Sequence, residues 1–174
     1  AVSVHCGGFS DEIFAGIDLI AISPGVPLAE PAVRRAKERG ARIVGDIELF
    51  AQALPKQPAP RIISITGTNG KTTVTALAGA MCASAGLDCE VAGNISPAAL
   101  DAMRRCRDAG RDPEAWVLEL SSFQLETTES LDASVAVMLN LSEDHLDRYV
   151  SVQEYAAAKA RVFRGSGVQV LNRD

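Results

Sequence analysis

The sequence predicts an α/β protein built on parallel sheet, and three observations carry that prediction. Short β-branched runs alternate with helical patterns from one end of the chain to the other. Several of those runs (IISI, WVL, VAVML) are continuously apolar, as strands covered on both faces must be. With five Phe, two Tyr and one Trp in 174 residues, the interior must be filled by Ala, Val, Leu and Ile. The length suits one large domain or two small ones. An apolar share of 47% with 22% charged residues excludes a disordered or fibrous chain.

Taken in order, the opening AVSV reads as a strand already under way with no Met ahead of it. The chain stops at Asp174 just past another strand-like run, so an internal piece of a longer protein is expected. Residues 17–22 (IDLIAI) form a strand candidate, and Ser23-Pro24-Gly25-Val26-Pro27 a loop. Residues 31–39 read as a helix with Pro in its first turn and Gly40 as its stop. Residues 41–45 make the next strand, and Asp46 is placed to cap a helix reaching about residue 54. Residues 55–60 (PKQPAP) hold three of the eight prolines, which neither continue a helix nor enter a sheet interior. This segment reads as a boundary between units 1–54 and 61–174, with an ordinary surface loop as the alternative.

The alternation then restarts. Strands are expected at 61–65, 87–92, 116–120, 134–140 and 168–171, with helices at 71–85, 97–107 and 152–164. No repeat or low-complexity segment interrupts them. The clusters Arg34-Arg35-Ala36-Lys37 and Arg104-Arg105-Cys106-Arg107 read as solvated helix faces. A net charge of −5 argues against a nucleic-acid binder. No apolar run approaches the ~18 residues of a membrane span, and no signal segment opens the chain. Cys6, Cys82, Cys89 and Cys106 contain no C-x-x-C pair, and His5 and His145 are the two histidines. A structural zinc site is not expected, and free thiols in a reducing cytoplasm are.

The strongest chemical signal is Thr66-Gly67-Thr68-Asn69-Gly70-Lys71-Thr72-Thr73, set between an apolar strand and a helix. Glycines let backbone N–H groups wrap a polyphosphate, and the helix start adds partial positive charge. Lys71 reaches the outer phosphates and Thr72 can hold Mg²⁺. The pattern is a variant, because Ile65 stands where the usual first glycine would be. A carboxylate near Mg²⁺ is expected at the end of a neighbouring strand, and Glu119 ends the run Ala115-Trp116-Val117-Leu118. A water-facing glutamate on an edge strand is the alternative. No Asp-x-x-Gly follows the loop, against a GTPase, and nothing resembles a protein kinase.

Two further residues invite a role. Ser151-Val152-Gln153-Glu154 forms a capping box, and Val152, Tyr155, Ala156, Val162 and Phe163 then make an apolar stripe with Lys159 in its middle. Glu154 and Arg161 point away from it. A lysine there must neutralise, pair or be modified, unless its stem packs while its head reaches water. His145 sits in the polar loop NLSEDHLD after a strand. It is either solvated or part of the crevice where the phosphate loop, Gly93-Asn94 and Glu119 converge at strand ends.

With these residues together, the chain resembles the Mur ligase family from the SPG loop to its last residues, and Gly67-Thr68-Asn69-Gly70-Lys71-Thr72 is that family's form of phosphate loop. The likeness is nearest to the D-glutamate-adding branch. It rests on Ser23-Pro24-Gly25, GDIELF, Gly93-Asn94-Ile95, LELSSFQLE and NLSEDHLDRY, with Ser122-Phe123-Gln124 where diaminopimelate- or lysine-adding relatives carry Ser-Ser-His. Ser96 departs from the usual Gly.

The resemblance implies the end of a Rossmann-like N-terminal domain at 1–54, a linker at 55–60 and an incomplete P-loop mononucleotide-binding α/β domain at 61–174. It further implies a cytoplasmic enzyme that joins D-glutamate to UDP-N-acetylmuramoyl-L-alanine with ATP and two Mg²⁺. Gly67 through Thr73 would bind ATP, and Ser23, Pro24, Gly25, Asn94, Ser121 and Gln124 the nucleotide-sugar substrate. Thr72 and Glu119 would hold the first Mg²⁺, and His145 with a CO₂-derived carbamate on Lys159 would serve the second. Lys71, Glu119, His145 and Lys159 would be catalytic. Neither nucleic acid nor membrane enters this reading, the oligomeric state is open, and the fragment alone should be inactive. The rivals are another Mur ligase, a folylpolyglutamate-type ligase, a P-loop nucleotide switch, and a non-catalytic binding piece.

Overall fold

The computed structural model describes residues 2–173 and contains two parallel sheets. In the first, β1 (Leu19–Ala21) pairs with β2 (Arg42–Val44) in the register Ile20↔Ile43. Between them runs α1 (Pro31–Glu38), which starts on a proline and buries Ala32, Val33 and Ala36. The expected strand at the chain start is not found. Val2 and Val4 are exposed and irregular, because no sheet edge lies there to pair with them, and Ala1 lies outside the described residues. Asp174, also named above, lies outside them too.

Next comes α2 (Asp46–Ala53). Gly45, not Asp46, is its cap residue; Asp46 is the first helical residue, and its carboxylate instead accepts a hydrogen bond from Gln124 at 2.9 Å. This helix packs on the second sheet's side. Ile47 and Phe50 are fully buried in the main apolar cluster, with Phe50 meeting Trp116 edge-on at 4.9 Å. Its Glu48 is buried, and accepts from the Glu129 and Ser130 N–H groups at 2.7 and 2.8 Å. Burial pushes that carboxyl up, but the backbone bonds from Ser130 and Glu129, with Gln52 and the Ser130 hydroxyl, outweigh it and hold the carboxyl low.

After the proline segment, the second sheet is laid down by β3 (Arg61–Thr66), β4 (Cys89–Gly93), β5 (Ala115–Glu119), β6 (Val135–Met138) and β7 (Val168–Leu171). Their order is β4-β5-β3-β6-β7, all parallel. The connecting helices are α3 (Lys71–Ser84), α4 (Ala99–Asp108), α5 (Ser122–Glu126) and α6 (Val152–Ala160), the last running into a 3₁₀ turn at Arg161–Phe163. The five-residue α5 was not anticipated: Ser121 and Gln124 close a reciprocal capping box around it. At α6 the box is only half made. Ser151 accepts from the Glu154 N–H, but the Glu154 carboxylate reaches Val150 instead. Arg161 does not point away, since its guanidinium donates to the Leu125 and Thr128 carbonyls beside α5.

From β3 the chain crosses to β4, comes back to β5 beside β3, and then passes to β6 on the other side of β3. That reversal opens a crevice at the carboxyl ends of these strands. Two edges meet solvent, and β7 is exposed at all four residues. Gly93, at the end of β4, has φ 117° and lies so close to the Glu119 backbone that a Cβ would overlap the Glu119 carbonyl. Gly93→Ala should therefore cost about 2–4 kcal/mol in urea unfolding. Gly86→Ala, at φ 82° with open space around it, should cost only about 1 kcal/mol.

Candidate active site

Four carboxyl ends of strands deliver the site. Ile65 in β3 and Gly93 in β4 both sit in register with Glu119 at the end of β5, and Thr66 faces Met138 of β6. Because β5 is an interior strand, Glu119 is 2% exposed and is not a water-facing edge residue. A buried carboxylate needs donors. It has two: Thr72 donates its hydroxyl to Oε2 and Asn94 its side-chain amide to Oε1, each at 2.9 Å. Ser96 leaves this turn intact, as Asn94 also donates its N–H to the Glu119 carbonyl at 2.8 Å.

The phosphate loop spans from β3 to α3, and Gly70 with φ 78° precedes the helix. Lys71 lies back over the loop and donates to the Gly67 and Thr68 carbonyls at 3.1 and 3.0 Å. The N–H groups of Thr68 and Asn69 turn towards Asn140, whose side-chain oxygen accepts both at 3.1 and 2.9 Å. Asn140 returns a bond to the Asn69 carbonyl at 3.0 Å. The loop is thus braced from the strand β6 side, and Thr73 is exposed on the first turn of α3.

Lys159 resolves the choice left open by its stripe. It is 2% exposed, so it does not reach water. Its ammonium donates to the same Gly67 carbonyl at 2.8 Å and approaches the Thr66 hydroxyl at 3.5 Å. It also lies 4.7 Å from the centre of the Tyr155 ring. Burial and then the charge of Lys71 pull its pKa down to about 8, with Asp144 opposing. Tyr155 bonds its hydroxyl to Thr68 at 3.2 Å, and its ring also meets the His145 ring at 5.9 Å.

His145 is half-exposed in a left-handed backbone conformation (φ 54°), its N–H held by the Asp144 carboxylate. Its ring rests on Phe123 at 4.9 Å. So the crevice brings Lys71, Thr72, Asn94, Glu119, Lys159 and the His145 loop together. Gln124 and Ser121 bond each other at the start of α5, and Gln124 reaches across to Asp46. Ser23 and Gly25 are exposed on the loop after β1, and the Pro24 carbonyl accepts from Arg148 at 2.8 Å.

Thr72 and Glu119 are oxygen donors beside the phosphate loop, a pairing that fits Mg²⁺ shared with phosphates and water. Among the described residues no group of three His, Cys, Asp or Glu forms a metal cage. A second Mg²⁺ at His145 and Lys159 fits only if Lys159 gains oxygen donors. Among the described helices none is long and apolar enough to cross a membrane. Sequence reasoning missed Asn140, Tyr155, Asp46 and Arg148 as partners of the site. For Asn140 a signal existed, an amide directly following an apolar strand beside the loop.

Residues 65–174 match the Mur ligase middle domain, and residues 1–45 match the N-terminal domain described as Mur ligase MurD-like. The UDP-N-acetylmuramoylalanine–D-glutamate ligase of Nitrosospira multiformis is 59% identical over 175 residues, covering 98% of this chain and 37% of that protein. The enzyme of the same name from Nitrosomonas europaea is 58% identical, covering 99% of this chain and 38% of its own length. The chain therefore spans somewhat over a third of the length of these curated relatives. A solved UDP-N-acetylmuramoyl-L-alanyl-D-glutamate–2,6-diaminopimelate ligase shares the fold, with a TM-score of 0.55 at 24% identity over 92% of this chain and 42% of that one.

Lys159 loses its proton near pH 8 in the fold but near 10.5 when unfolded. Between those values the unfolded chain holds the extra proton, so stability rises with pH. Melting curves of wild type and Lys159→Met from pH 7 to 10.5 should show the wild type gaining on the variant across that window. A constant difference would contradict the buried charge.

Proposed function

The chain belongs to the Mur ligase family, and from that premise we propose that it is the phosphate-transfer part of a cytoplasmic ligase joining D-glutamate to UDP-N-acetylmuramoyl-L-alanine. The observation that carries this reading is the buried Lys159 set on the phosphate loop beside Lys71, in a chain whose relatives bear the name of D-glutamate ligases.

In the proposed reaction the alanine carboxylate attacks the γ-phosphorus of ATP, giving an acyl phosphate and ADP. The amine of D-glutamate then attacks the acyl carbon and expels phosphate, forming the amide. The first step drives an anion onto a polyanion, so the site must supply positive charge. Lys71 and the loop N–H groups hold the phosphates once the loop opens from Asn140. Mg²⁺ at Thr72 and Glu119, and a second at His145 and modified Lys159, would supply further positive charge between carboxylate and γ-phosphate. Ser23, Pro24 and Gly25 take the uridine diphosphate portion, while Asn94, Ser121 and Gln124 meet the muramoyl portion.

Lys159 in its neutral form can attack CO₂, giving a carbamate and releasing a proton. That replaces +1 by −1 next to Lys71 and supplies the missing oxygen donors. The carbamate nitrogen keeps one N–H, enough to retain the bond to the Gly67 carbonyl. A pKa near 8 leaves a useful fraction of neutral amine close to neutrality.

Amide formation by the full-length protein tests the reading: D-glutamate should be incorporated, and diaminopimelate or lysine in its place would overturn the assignment. Phosphate release with ATP alone, without either co-substrate, would favour a nucleotide switch. Lys71→Ala should abolish ATP-dependent phosphate release. Lys159→Ala should lose turnover, and bicarbonate with a short-chain carboxylic acid should restore part of it. Wild-type rates in the unsupplemented Lys159→Ala enzyme would sink the carbamate.

A further inference from the structure

Arg148 has no part in the chemistry described so far, yet it joins three elements. One nitrogen donates to the Pro24 carbonyl at 2.8 Å, across 124 positions of sequence. Another donates to the Glu126 carboxylate at 2.7 Å, with the two side chains 10% and 17% exposed. The guanidinium lies 4.2 Å from the centre of the Phe123 ring. The same ring carries His145 at 4.9 Å. Arg148 is also bound into the His145 turn, since its own N–H and that of Tyr149 both donate to the His145 carbonyl at 3.0 Å.

These contacts use what distinguishes arginine from lysine. A planar fork can serve a carbonyl and a carboxylate at once while stacking on an aromatic face. A charge-assisted bond in a mostly buried setting resists sliding, because breaking it leaves a charge short of partners. A cavity of about 340 Å³ lies alongside, lined by Pro27, Leu28, Ala29, Glu126, Arg148 and Tyr149. Arg148 thus links the loop after β1 to the His145 turn beside that space.

We propose that Arg148 is a positioning residue that couples occupancy of the Ser23-Pro24-Gly25 loop to the setting of the His145 turn. On the functional reading above, on which this rests, binding of the uridine diphosphate portion draws in the Pro24 carbonyl. Arg148 then holds Phe123 and the His145 turn in their working positions. Glu126 keeps the fork in plane, and Phe123 passes the alignment from guanidinium to imidazole.

The full-length enzyme is the test object, with Arg148→Met and Arg148→Lys compared against wild type. Loss of one charge-assisted bond should raise KM for UDP-N-acetylmuramoyl-L-alanine about tenfold. KM for ATP should stay within about twofold, since Lys71 and Glu119 do not touch Arg148, while kcat should fall because the His145 turn loses its setting. Arg148→Lys can keep the Glu126 pair but cannot span to Pro24, so it should not rescue. Equal rises in both KM values, or full rescue by lysine, would overturn the coupling and leave a merely structural charge. A wild type that forms no D-glutamate amide would instead refute the functional reading. Amide hydrogen exchange without substrates separates the two cases. In Arg148→Met, exchange should quicken both at 23–26 and at 144–149 while β5 stays protected. Acceleration at only one of those segments, or at neither, overturns the proposal whatever the activity.

Discussion

Two ammonium groups meet on one carbonyl oxygen, that of Gly67, and much of the site follows from that crowding. Like charges this close in a half-dry setting raise each other's cost, and Lys159, being the more deeply buried, gives way. The arrangement is tolerable for an apo protein because each ammonium has oxygen acceptors. It becomes favourable when negative charge arrives. Under the proposed function, a polyphosphate on one side and an acidic modification on the other would each remove that repulsion.

The rest of the architecture keeps that carbonyl where it is. Gly67 follows β3, the central strand, and Glu119 is set in register beside it by β5. The Glu119 carboxylate is shared between Thr72 of the phosphate helix and Asn94 of the β4 turn, so three strands are tied at their carboxyl ends. Asn140 does the same from β6. Lys71, Thr72, Asn94 and Glu119 therefore sit on strand ends and the helix they lead into, while the loop after β1 and the His145 turn are irregular segments beside them. Under the proposed function, a phosphate cradle fixed by the sheet suits a reaction in which one partner must be brought up to another.

Much of this was legible in the residues. The alternation of apolar runs and helical periods placed every strand from β1 to β7 within a few residues; β5, covered on both faces, leaves a continuous apolar signature, while β7 is exposed and shows by its β-branched residues alone. The loop between β3 and α3 announced itself by glycines and Gly-Lys-Thr-Thr, and Lys159 by its place on an apolar stripe. What stayed hidden was pairing across distance. Nothing local to Asp46 says that its carboxylate leaves its own helix end for Gln124, and nothing near Arg148 points to Pro24. The five residues of α5 are too few for a period to show; their capping box becomes visible only once Ser121 is known to leave the strand. The opening run misled for the reverse reason: Val2 and Val4 have strand propensity but, among the described residues, no strand to pair with.

The open strand β7 has a practical side. Val168, Val170 and Leu171 are 64%, 46% and 59% exposed, on a strand that among the described residues pairs with β6 alone. Neither a proline nor an inward-pointing charge blunts it within the strand. Such an edge is a template for self-association through strand addition. For this segment handled by itself, colloidal behaviour rather than folding free energy sets the concentration at which it can be kept monodisperse. A lysine placed at Val170 would be the simplest guard.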